Sequence, residues 1–270
     1  MLPAFPSSAR AGVPFFDRLK QKLSTAIPKP KTKRRKSIRN TIYIREPGIY
    51  DFKNVLHIWK GKKWPHDKEY GPPALHILVS NVTIKNFAVS GAPDGVHVGS
   101  LPWSGANAMR KHSLVENVRF QNLQVTRIRE DALTCQKNTR NVRIEDSHFW
   151  GGSDKVIQND HCKGLSVERC GFYKGTRCIR WKAGTSGEVR DCRFLKCDFP
   201  IKADGNTWPE QGPVGRKRKG GPVRLHIENN LFYRSRIAID AGRKVMVDER
   251  DNKFLDVRKK YRTTDGGKIL

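Results

Sequence analysis

Three carboxylates, Asp94, Glu130 and Asp131, and three cations, Lys155, Arg177 and Arg180, sit at related places in four short stretches of the chain. Each stretch carries an apolar position, at Val96, Ala132, Val156 and Ile179. Asp94, Glu130, Asp154 and Arg177 stand two places before it, Asp131 and Lys155 one before, and Arg180 one after. If these stretches stack as neighbouring strands, equivalent positions lie about 4.8 Å apart. Three carboxylates on adjacent strands then make an oxygen cluster suited to Ca2+, which takes roughly six to eight oxygen ligands in loose geometry. The three cations come on the strands that follow, where an anion can be held. The competing reading is a ladder of surface ion pairs with no chemistry attached.

What must position them is a repeat. Segments NVTIKNF (81–87), NVRFQNL (117–123), NVRIEDSHF (141–149), LSVERCGF (165–172), EVRDCRF (188–194) and RLHIENNLF (224–232) share one shape. Their central residues are Ile84, Phe120, Ile144, Val167, Val189 and Ile227. Two gaps are long and contain insertions, at 99–112 and 206–221; without them the period is near 22–24, a solenoid period. Twelve residues on stand Val96, Ala132, Val156, Ile179, Ile201 and Ile239, all apolar, so each repeat carries at least two strands. This is the rung of a right-handed parallel β-helix of about six or more coils. Asn86, Asn122, Asp146, Arg169, Asp191 and Asn229, each two past a central residue, predict a stacked column of turns.

The stretches DGVH (94–97), EDALT (130–134), SDKVIQN (153–159) and TRCIR (176–180), taken together over roughly residues 75–205, resemble family 3 pectate lyases. The resemblance implies a right-handed β-helix and calcium-dependent β-elimination of polygalacturonate. It implies Asp94, Glu130 and Asp131 as calcium ligands, Lys155 as a group that binds substrate carboxylate, and Arg180 as the proton-abstracting base. Calcium and cations neutralise the uronate carboxylate and acidify the adjacent C5 proton, a base removes it, and the C4 oxygen leaves. An arginine base needs a strongly cationic surround, which Lys155 and Arg177 supply in part. The chain departs from the family pattern at Gln136, where the family carries lysine, and at Arg177, another family lysine.

The net charge is +27, which calls for a polyanionic partner. Residues 1–45 carry +11 of it and the rest +16. The spacing of Phe15, Phe16, Leu19, Leu23, Ala26 and Ile27 predicts an amphipathic helix over 14–27. An unstructured basic run follows over 28–40, with Lys29, Lys31, Lys33, Arg34, Arg35, Lys36 and Arg39 as phosphate contacts. A second basic loop holds Arg216, Lys217, Arg218 and Lys219. On this reading 1–45 is an extension, 46–242 the β-helix and 243–270 a basic tail. No apolar run reaches the roughly 18 residues a membrane span needs. The acid-poor start without a secretory signal reads as an organelle transit segment, and the six cysteines, without metal-ligand spacing, read as reduced thiols. Charge and arm together favour a lyase-derived scaffold bound to rRNA or another polyanion and to neighbouring proteins, in a mitochondrial ribosome or other ribonucleoprotein. The alternatives are a pectate lyase acting on acidic polysaccharide, and a virion structural or decoration protein.

Overall fold

The apolar and turn positions of the repeat dictate a coil. The computed structural model describes residues 34–61, 71–99, 113–136, 138–160, 162–205 and 221–270, all within one compact unit, Thr32–Leu270. The expected helix over 14–27, Lys29, Lys31 and Lys33, the loop residues Arg216, Lys217, Arg218 and Lys219, and most of the 99–112 insertion lie outside the described residues. The described strands form a nine-stranded and a sixteen-stranded sheet, and their pairings are parallel. The chain is thus a parallel β-helix. A coil contains three strand segments, within the expectation of at least two. Val82–Lys85 lies in the smaller sheet, and Ala88–Ser90 and Asp94–Val98 lie in the larger.

Register follows the repeat in the smaller sheet. Ile84, Phe120, Ile144, Val167, Val189 and Ile227 are Cα partners in succession and all are buried. A corner follows, in which Asn86, Asn122, Asp146, Arg169, Asp191 and Asn229 adopt left-handed φ of 50–57°. Asn and Asp tolerate that conformation because their short side chains bond locally. Here they bond along the stack: Asn122 Nδ2 donates to Asn86 Oδ1 at 2.8 Å and to Asn54 Oδ1 at 3.0 Å. Arg169, the long side chain in this column, is held by two bonds to Asp146 at 2.8 and 3.1 Å.

Beyond the corner the core stacks aromatic rings. Phe149, Phe172, Phe194, Phe232 and Phe254 lie face over face, with centroids 4.8–5.1 Å apart. This separation is the inter-strand spacing itself, so the ladder sets the stack. All six cysteines are buried free thiols.

The expected domain limits need correction at both ends. Arg34–Ile38 is a strand paired with Val55–Trp59, not part of an unstructured run. The segment expected as a basic tail forms Val245–Arg250, Lys253–Leu255, Lys259–Thr263 and Lys268–Ile269, which continue the coils. None of residues 251–270 is fully buried, so the apolar repeat is faint there. Phe254, Val257, Tyr261 and Ile269 are accordingly only partly buried against the core.

Candidate functional site

The larger sheet carries the polar column, in a register one residue different from the expected one at two coils. Val96 pairs with Leu133, not Ala132, and Leu133 pairs with Ile157, not Val156; Ile179, Ile201 and Ile239 then follow as expected. The chain from Phe120 to Leu133 is one residue longer than that from Ile84 to Val96, and the extra residue lies in the turn. The shift moves Glu130 out of line with Asp94 and brings Lys155 opposite Arg177, while Asp131 stays opposite Lys155 as expected. Asp94 heads the same column by the offset of Val96 and Leu133. Glu130 drops out of the column into the bend before the strand, where its N–H donates to Pro93 O at 2.9 Å.

A second column lies three residues on: His97, Thr134, Gln158, Arg180, Lys202, Asp240 and Arg262. Residues i and i+3 of a flat strand face opposite ways. Yet His97 Nε2 lies 3.1 Å from Asp94 Oδ2, and Thr134 Oγ1 donates to Asp131 Oδ2 at 3.3 Å. The strands therefore bend between the columns and turn them toward each other. At Gly95, in this bend, a Cβ would fall 2.2 Å from Ala132 O, a clash that no side chain avoids.

Burial divides the columns into two ends. At one, Asp94, His97, Asp131, Thr134, Lys155 and Gln158 are all buried. Asp94 receives the Gly71 and Asp131 N–H groups, each at 3.1 Å, as well as His97, and so ties coils together. Asp131 Oδ1 faces Lys155 Nζ at 3.7 Å. Next to His97, the His76 ring packs edge-on with centroids 5.8 Å apart, and its Nε2 lies 2.7 Å from Gly99 O. Burial, reinforced by His97, pushes His76 down to about 4, although the Gly99 bond opposes it. At the other end Arg177, Arg180 and Lys202 are half-buried and reach solvent.

Calcium, implied by the resemblance, does not fit these donors as they stand. Both Asp94 oxygens already accept hydrogen bonds, from Gly71, Asp131 and His97, and an ammonium already faces Asp131. Among the described residues no three His, Cys, Asp or Glu side chains gather as a metal site. Gln136, at the family's lysine position, is buried. The ladder of surface ion pairs does exist, but on the other sheet: Glu145 is held by Arg119 and Arg143, and Glu168 by Arg143 and Arg169.

Lys202, Asp240 and Arg262 are additions to the residues expected from the sequence. Their signal was present, since Lys202 follows Ile201 as Arg180 follows Ile179. Of the expected nucleic-acid contacts, Arg34, Arg35 and Lys36 are exposed on the first strand and Arg39 is exposed just after it.

No family model and no curated protein matches the chain. Similar solved structures include the catalytic domain of a GH87 alpha-1,3-glucanase (TM-score 0.44, 8% identity, 87% of this chain and 63% of that one). PfbA, a surface adhesin of Streptococcus pneumoniae, gives 0.38 at 13% identity over 80% of this chain and 56% of its own. The enzymatically active domain of bacteriophage CBA120 tailspike protein 2 gives 0.30 at 9% over 85% and 39%. The chain spans less than two thirds of each of these. The expectation of a ribosomal scaffold is corrected: Arg34–Ile38, from the basic run that carried the expectation, is a strand of the coil paired with Val55–Trp59.

Proposed function

We propose that the chain binds an acidic polysaccharide along the two columns and cleaves it by β-elimination. The observation that carries this reading is the register Lys155–Arg177 and Arg180–Lys202, which gathers four cations from three successive coils on one bent face. A uronate polymer offers carboxylates spaced along a chain, and the half-buried Arg177 and Arg180 present planar donor forks that match them. Neutralising the carboxylate acidifies the C5 proton, which lets β-elimination proceed at accessible pH. The buried Asp131–Lys155 pair holds the floor of the site rather than touching substrate.

The test is incubation with polygalacturonate and other uronate polymers, with a neutral glucan as control. Absorbance of the unsaturated uronide ends reports cleavage and calorimetry reports binding. Cleavage of at least one polyuronate is expected, undiminished by a calcium chelator, with Arg180→Ala reducing it by about 100-fold or more. Equal binding of the neutral glucan, or no binding of any polyuronate, would overturn the reading.

A further inference from the structure

Arg180 is a poor base by its chemistry, because a guanidinium stays protonated throughout the range in which proteins work. A different nitrogen stands in the same column. Lys202, on the strand Phe199–Ala203, lies one coil beyond Arg180 and is its Cα partner. On its other side the partner is Asp240. That carboxylate is clamped by Arg262, whose Nε donates to Oδ1 at 2.8 Å and Nη2 to Oδ2 at 2.5 Å. Lys202 thus lies between a guanidinium from the preceding coil and a carboxylate already neutralised from the following one, with Arg177 also near.

We infer that Lys202, and not Arg180, is the base of the elimination, with Arg177 and Arg180 holding the uronate carboxylate. This inference rests on the functional reading above. In the step, the neutral Nζ takes the C5 proton and the C5–H electron pair forms the C4=C5 bond. The C4–O bond breaks with its pair on oxygen, and that oxygen takes a proton from water or from the Lys202 ammonium just formed. No oxidant, reductant or metal enters the balance.

The surroundings favour the neutral amine. Half-burial pushes the Lys202 pKa below the ordinary lysine value, Asp240 opposes this, and Arg177, Arg180 and Arg262 add to it. Lysine, unlike arginine, gives up its proton readily under such conditions. The charged groups facing Lys202 are Arg177 and Arg180 from one neighbouring coil, Asp240 from the other, and Arg262 beyond it.

Two measurements test this on the full chain. Competitive acetylation over a pH series, read by peptide mass, gives the titration of each lysine. Lys202 is expected to become reactive at lower pH than the exposed Lys174, and titration together with Lys174 would overturn the inference. Kinetics on the polyuronate then separate the roles. Lys202→Arg keeps the charge and is expected to lower kcat by about 100-fold or more, the usual size of a general base, with KM within about threefold. Arg180→Lys is expected to raise KM, with the rate still rising with pH as Lys202 loses its proton. Near wild-type kcat in Lys202→Arg, with cleavage lost in Arg180→Lys, would return the role to Arg180 and leave the functional reading intact. A wild-type protein that neither binds nor cleaves any polyuronate would overturn both.

Discussion

Acidification from about pH 7 to about pH 5 protonates His76 in the unfolded chain but not in the folded one. His76 is 5% exposed, and burial lowers it from 6.5 to about 4. Between these two values the unfolded state binds the extra proton, so stability rises with pH and falls as pH drops below 6.5, with the full loss reached below about 4. At about 1.36 kcal/mol per pH unit, the full loss is about 3 kcal/mol, of which about 2 kcal/mol falls between pH 7 and 5. His57 and His148 are also lowered by burial and add to the same slope. The carboxylates lowered by hydrogen bonds or ion pairs, Asp146 and Glu168 among them, act in more acid solution, since their ordinary values are 3.8 and 4.5. The comparison that isolates His76 is His76→Gln, whose amide can still donate to Gly99 O but does not titrate. Urea unfolding of both proteins at each pH gives the difference. The variant is expected to lose about 2 kcal/mol less than wild type over this range. Parallel slopes for the two proteins would refute the argument, since His76 would then take up its proton in the folded state as easily as in the unfolded one.

Two further substitutions probe the coil and the floor of the site. Phe194 is fully buried between Phe172 and Phe232, at 4.8 and 5.0 Å. The ladder on either side prevents collapse into the gap, so Phe194→Ala is expected to cost about 3–5 kcal/mol by urea unfolding; a cost below about 1 kcal/mol would show that the coils close up. Lys155→Met strips Asp131 of its ammonium and is expected to cost about 3–5 kcal/mol, whereas adding Asp131→Leu recovers much of it. Additive costs in that double-mutant cycle would mean the two side chains do not act as a pair.

The sequence exposed those parts of the fold in which side-chain type and backbone conformation are coupled. Asn86, Asn122, Asp191 and Asn229 mark left-handed corners because few other side chains sit there without strain, and they set the register of the smaller sheet. Beyond the corner the coupling is lost. Ala132 and Leu133 are both apolar, as are Val156 and Ile157, so either member of each pair satisfies an inward position. One extra residue in the turn then slips the strand unseen. The fold tolerates the slip, but the chemistry does not. Read one way, Glu130 and Asp94 share a column and a cation site follows; read the other, Glu130 leaves the column and Asp94 falls in line with Asp131, which Lys155 faces in either reading. Charge misled for a related reason. Arg34, Arg35 and Lys36 are exposed on the first described strand, where a basic side chain reaches water without leaving the ladder. Net charge therefore carries information about partners and solubility, while whether a basic run is a free arm or the first turn of a coil is settled by what it pairs with, here Val55–Trp59.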